Sequence, residues 1–190
     1  MAQEKVEQVI AAAFQVFMKY GYRRVTMADL AEAAQMSRPA LYLIFPSKEQ
    51  IFIEVISRAL AANLDEIRRG IQPLKTVEEK LALVCELRFV CPFELIRASP
   101  DAADIYESMH EFAADLMARA EADFENLLAE ILEPLVRKQK ALKLSSHQIA
   151  RILRISAIGF KKAAKDSADL RELMSDMRRI VLSSLSSRAV

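Results

Sequence analysis

At 190 residues and a formal net charge of +1, the chain has room for two small domains or one medium helical unit. That charge excludes a globally basic nucleic-acid coat, so any DNA affinity has to come from a local cluster of Lys and Arg. Three glycines and six prolines, with no alternating strand pattern and no Asn-Gly hairpin turn, predict an all-α chain without a phosphate-cradling glycine loop.

The first predicted helix covers residues 3–20. Val6, Val9, Ile10, Ala13, Phe14 and Phe17 recur at helical spacing and make one apolar face. Gly21 ends it, as the residue that tolerates a left-handed conformation. Arg23 and Arg24 follow, either as solvated turn charges or as phosphate contacts. Thr26 with Asp29 three residues on has the form of a capping box and opens a second, short helix. Gln35-Met36-Ser37 is a turn. A third helix starts at Ser37 or Arg38 and runs to about Ile44, with Pro39 in its first turn, where proline costs nothing. Proline biases the residue before it away from helical dihedrals, so Arg38 is itself a candidate cap. Pro46 stops the helix.

Two short helices around a tight turn have the form of a helix-turn-helix, whose second helix enters the major groove. The stretch GYRRVTMADLAEAAQMSRPALYLIFPSKEQIF resembles the N-terminal domain of the TetR family of transcriptional regulators. The matching positions are Ala13, Phe17, Gly21, Tyr22, Thr26, Leu30, Ala31, Ala34, Ser37, Leu41, Tyr42, Phe45, Lys48 and Glu49. The resemblance covers roughly residues 6–56. It implies a dimeric regulator that binds palindromic operator DNA, most often a repressor released by a small lipophilic effector. It also implies a backbone-phosphate contact for Tyr42.

Residue chemistry assigns roles within the motif. Ser37 and Arg38 stand at the end of the reading helix that reaches bases, and arginine matches guanine O6/N7 with two parallel bonds. Ala40 is small enough to approach a thymine methyl, or is simply a helix former. Arg23, Arg24, Thr26 and Lys48 are candidate phosphate anchors. Ser47 with Gln50 caps the next helix. Leu41 and Phe45 belong to the core.

The next helix spans 48–69 and ends near Gly70. No Gly, Ser or Pro linker follows the DNA-reading part, so the two parts of the chain share this helix. The expected division is 3–63 for the DNA-binding domain, its compact reading part at 3–47, and 64–190 for a helical ligand-binding and dimerisation domain. Thr76 with Glu79 opens a further helix. Leu81–Val90 is apolar nearly all round, as a central buried helix is. Its two charges, Glu86 and Arg88, point about 200° apart, so at least one meets a semi-buried setting, as a salt bridge or as a polar handle on a ligand. Pro92 kinks or breaks this helix. Cys85 and Cys91 are too far apart on one helix for an unstrained disulfide and are expected to be buried, inert thiols. Ser99-Pro100-Asp101 starts a short helix, and 109–135 carries a long apolar stripe. A lipophilic pocket is expected between these helices, lined by Phe52, Asn63, Cys85, Arg88, Phe89, Phe93, Met109, Phe112, Met117 and Phe124. Asn63 is more simply a satisfied core amide.

Ser145 with Gln148 opens a helix to about Lys165, and a last helix carries apolar residues at 3–4 spacing. Two such helices per chain form a four-helix bundle with a partner's pair. The expected interface is Ile152, Ile155, Gly159, Leu170, Leu173, Met174, Met177 and Val181, and the resemblance implies dimerisation in the same place.

Catalysis finds no support: there are two histidines and no nucleophile–base pairing at readable spacing. Glu107-x-x-His110 matches half of a di-iron carboxylate site, but the second half is missing, because Leu144 stands three before His147. No cofactor or metal is expected. The alternatives to a regulator are a helical adaptor using the hairpin for protein contact, or a degenerate di-iron bundle. With no apolar run near the ~18 residues of a membrane span and no signal-peptide pattern, the expectation is a cytoplasmic protein without a membrane partner.

Overall fold

Local sequence signals account for most helix starts in the computed structural model, which describes residues 2–99, 101–139 and 142–186. The helices are α1 (Ala2–Tyr20), α2 (Met27–Ala33), α3 (Arg38–Ile44), α4 (Lys48–Ile71), α5 (Val77–Cys85), α6 (Cys91–Ala98), α7 (Ala102–Phe112), α8 (Ala114–Val136), α9 (Ser146–Ala163) and α10 (Ser167–Ser186), with a π-helical stretch, Glu86–Val90, between α5 and α6. The described residues contain no strand. Capping boxes stand at Thr26–Asp29, Thr76–Glu79 and Ser145–Gln148. Each hydroxyl accepts the amide of the third residue, whose side chain accepts the cap's own amide in return.

Two compact units form. The first takes the chain up to Ala62 together with Leu95–Ala118, and the second takes Asn63–Glu94 and Arg119 onward. The expected division has one boundary, at 63, with everything after it in the second domain. The boundary at α4 lies one residue earlier, and 95–118 belongs to the first unit instead. Nothing in composition marks this return, because α7 joins the first unit by packing.

In the first unit, Val9, Ala13 and Phe17 of α1 are buried in one core with Leu30, Ala31 and Ala34, Leu41, and Ile51, Phe52 and Val55. Its centre is aromatic. Phe17 meets Phe52 edge-on at 5.3 Å, Tyr22 lies 4.8 Å from Phe52, and Phe112 of α7 lies 5.0 Å from Tyr22. Offset and edge contacts of this kind stabilise beyond their buried area. Phe52, expected to line a ligand pocket, is 1% exposed here and is core. The Ser99 hydroxyl donates to the Met18 carbonyl at 2.8 Å and accepts the Asp101 amide at 3.3 Å. Pro100, the middle of that expected helix start, lies outside the described residues.

The core of the second unit includes Ile67, Leu81, Val84, Phe89, Val90, Phe124, Leu128, Leu132, Leu153, Leu170 and Met174. Gly70 allows a close crossing there, since a Cβ would lie 2.6 Å from Leu83 Cδ2. Pro92 acts as expected of a helix disruptor, and the disruption takes a specific form. The Cys91 amide reaches back five residues to the Glu86 carbonyl. In that wider register the carbonyl of Leu87 should receive residue 92, which as proline has no N–H. Asn63 Nδ2 fills the vacancy, donating to the Leu87 carbonyl at 2.8 Å. Cys85 is buried as expected, and burial pushes its thiol up to about 11. Cys91 is instead exposed, because the π-helical stretch turns it outward.

Candidate functional sites

The start of α3 is fixed by Ser37, whose hydroxyl accepts the Ala40 amide at 3.3 Å. Ser37, and not Arg38, is therefore the cap, and Arg38 is left exposed with its side chain uncommitted to the helix. The turn before it is a tight left-handed helix end. Gln35 has φ +53°, its amide reaches the Glu32 carbonyl, and the Met36 amide reaches that of Ala31, both at 2.9 Å. This sets the angle between α2 and α3.

Leu41 is 0% exposed and points into the core. At 100° per residue, Pro39 and Leu43 lie on the opposite crest, with Arg38 and Tyr42 on one flank and Ala40 on the other. Leu43 is 89% exposed and Tyr42 45%. The face that α3 offers outward thus has an apolar crest beside an arginine and a tyrosine. Leu43 is a functional candidate that the sequence reading missed. The signal was available: in a seven-residue helix, a leucine two positions from the buried Leu41 has to face away from the core.

The loop from Gly21 to Val25 is held by side chains. Gly21 has φ +74°, and a Cβ there would meet Asp104 Oδ2 at 2.5 Å. Lys48 was expected to face phosphate. Its ammonium turns inward instead, donating to the carbonyls of Tyr22 and Val25, each at 2.8 Å, and lying 4.2 Å over the Tyr22 ring. Burial lowers its pKa. The cause is local: the 21–25 loop presents several carbonyls with no helix to pair them, and Lys48 is the nearest donor.

Arg23 and Arg24 are both exposed and face acids on α7 and at its N-cap. Arg23 meets Asp104 at 3.4 Å and Glu107 at 3.1 Å, its amide donates to Asp104 at 2.8 Å, and Arg24 meets Asp101 at 3.5 Å. Of these pairs only Arg23–Glu107 is exposed on both sides; such a pair contributes about 0–1 kcal/mol, so a phosphate competes with it at little cost. The acidic stripe Asp101–Asp104–Glu107 was the second feature missed, although its spacing puts the three on one helix side. Thr26 Oγ1 is engaged by the cap, donating to Asp29 at 2.8 Å and accepting its amide. The half di-iron motif is divided: Glu107 goes to Arg23, and His110 Nδ1 lies 2.8 Å from the Tyr106 carbonyl.

A family profile described as bacterial regulatory proteins, tetR family, matches residues 9–55. Those residues are the ones that build α1 to α4 around the capped hairpin. Residues 9–55 thus carry the N-terminal domain of the tetR family. It is similar to the fatty acid metabolism regulator protein of Bacillus subtilis, 31% identical over 85 residues, covering 45% of this chain and 44% of that one. It is also similar to the HTH-type transcriptional regulator RutR of Escherichia coli, 30% identical over 86 residues, covering 44% and 41%. The chain therefore spans less than half the length of these curated relatives. In fold it is similar to the fatty acid degradation regulator FadR from Bacillus halodurans, at TM-score 0.70, 24% identity and 97% of both chains. It also resembles a TetR transcription regulator from Haloarcula marismortui, at TM-score 0.76, 17% identity, 94% of this chain and 98% of that one.

The ten residues expected to line a lipophilic pocket divide between the units. Phe52, Met109, Phe112 and Met117 belong to the first. Asn63, Cys85, Arg88, Phe89, Phe93 and Phe124 belong to the second. Of the two charges Glu86 and Arg88, Glu86 makes a salt bridge, bonding Arg171 at 2.6 Å. Among the described residues Arg88 has no ion pair with a carboxylate, and it lies over the Phe124 ring at 5.1 Å.

The expected dimer residues also divide. Leu170 is 0% exposed and Met174 1%, so both are core and unable to meet a partner. Leu173, Met177 and Val181 are partly buried against the same core. The 3–4 stripe of α10 serves the inside of the unit, a distinction that periodicity does not carry. Ile152 and Ile155 are exposed on α9, as is Ile180 on α10. Gly159 shares the Ile152–Ile155 face, and a Cβ there would meet nothing within 4 Å.

Proposed function

We propose that the chain is a homodimeric, ligand-responsive regulator of transcription that reads a palindromic operator with α3. The observation that carries this reading is the outward face of α3: Arg38 uncommitted at its start, and Pro39, Tyr42 and Leu43 beyond it, on a helix fixed from behind by Leu41. Arg38 recognises guanine, and the Pro39–Leu43 crest contacts thymine methyls, which are the apolar group of the major groove. Tyr42, Arg23, Arg24 and the Thr26 backbone meet phosphates, while Ser37 and Lys48 set the helix and the loop. The name of the similar fatty acid metabolism regulator supports a lipophilic effector, which acts through α4, the helix both units share, and the resemblance to the tetR family implies a repressor. Catalysis has no part in this reading.

Dimerisation is assigned to α9 with Ile180 of α10. An exposed mid-helix glycine costs up to about 1 kcal/mol against alanine, and nothing among the described residues requires it at 159. A second copy approaching closely does. The test is selection of duplex DNA from a random pool by the purified chain, followed by binding measurements on the recovered site. A palindromic site bound by two chains is expected, and recovery of no preferred sequence would contradict the reading.

A further inference from the structure

Inside the second unit, three cations meet two carboxylates. Arg154 of α9 is 16% exposed and takes both acids, Glu121 at 2.9 Å and Glu125 at 3.0 Å. Lys161 lies seven residues on, two turns along the same side of α9. Arg88 reaches the cluster from the π-helical stretch, against the face of Phe124. Neither Arg88 nor Lys161 has an ion pair or hydrogen bond among the described residues, and both are more than half buried. Burial lowers the pKa of each, and the Arg88 guanidinium lowers that of Lys161 further, against the opposing pull of Glu121.

Two desolvated cations without a hydrogen-bonded partner, balanced only by the field of Glu121, oppose folding, since a buried charge is tolerated when paired. The Phe124 ring offsets part of this for Arg88 and none of it for Lys161. An anion would satisfy both. The surroundings are apolar: Phe89 packs on Phe124 at 5.5 Å, and Ala157, between Arg154 and Lys161, is fully buried. Close by, the Oδ1 of Asn63 is buried without a partner, its amide nitrogen being held by Leu87, the neighbour of Arg88.

We propose that Arg88 and Lys161 hold the charged end of the effector, and that the effector is an organic carboxylate on an apolar body. This rests on the reading of the chain as a ligand-responsive regulator. A guanidinium fork matches a carboxylate with parallel bonds, and an adjacent ammonium adds a third donor. A free inorganic anion would gain nothing from the aromatic walls.

The test is calorimetric titration of the full chain with octanoate, dodecanoate and 4-phenylbutyrate, each beside its primary amide, which keeps the shape and removes the charge. At least one acid should bind, with its amide at least tenfold weaker. Arg88→Gln and Lys161→Gln should each weaken that acid at least tenfold. Melting curves of both variants serve as the folding control and should not fall, because each variant removes an unpaired charge. Equal binding of acid and amide, wild-type affinity in both variants, or no binding of any acid overturns the proposal. Operator binding by the wild-type chain is measured in parallel. If it is present while the carboxylates fail, only the effector assignment falls; if it is absent, the regulator reading falls by itself.

Discussion

Lys48 shows how one side chain divides between the two readings of a motif. A lysine at a helix start beside a reading helix is a natural phosphate anchor, yet here its donors are taken by the Tyr22 and Val25 carbonyls. Lys48→Met should lower the melting temperature and weaken binding to all duplexes alike. The slope of log affinity against log salt should stay within about half a unit of wild type, because no phosphate contact is lost. A fall of about one per chain would return Lys48 to the phosphates. The capping acids make a second residue-scale case. Hydrogen bonds from the Thr26 side chain and amide hold Asp29 below the usual carboxylate range, and those from the Thr76 amide and hydroxyl do the same for Glu79. Because folding lowers these pKa values, their stabilisation is complete above the ordinary carboxylate value of about 4 and is lost as pH falls through the lower folded value. Thermal melts between pH 7 and pH 2.5 should show this loss, and Asp29→Asn with Glu79→Gln should reduce the slope in that window.

At the scale of elements, α9 and α10 separate what periodicity reveals from what it conceals. Both helices were legible, the first down to its cap at Ser145. Which chain each apolar stripe packs against was not, since Leu170 and Ile155 are equally apolar and only three-dimensional packing buries one and leaves the other exposed. Gly159→Ala should raise helix stability by about 0.5–1 kcal/mol while weakening the dimer, and Ile155→Arg should give a folded monomer. Sedimentation and melting curves check the pair; an unchanged dimer in Ile155→Arg would move the interface elsewhere. The α7 acids allow a similar test. Glu107→Gln frees Arg23 from one partner, and operator affinity should rise by up to about fivefold, the range open to an exposed pair. No change at low salt would show that Arg23 does not reach DNA.

For the molecule as a whole, the first unit was readable because its signals are local: caps at Thr26, Ser37 and Ser47, proline at 39, glycine at 21, and a spacing shared with the tetR family. The return of 95–118 to that unit was not readable, since it depends on Phe112 reaching Tyr22 across more than eighty residues of chain. The second unit has local caps at Thr76 and Ser145 but no spacing shared with the family, and Asn63 makes sense only once Pro92 is seen to leave the Leu87 carbonyl without a donor. Base reading by α3 is the central property of the molecule. The direct measurement is the affinity of wild type and Arg38→Ala for the selected operator and for its single-base variants. Arg38→Ala should lose roughly 1–3 kcal/mol per half-site on the operator and relax preference at one base pair in each half. Equal loss on every variant, with base preference intact, would contradict it.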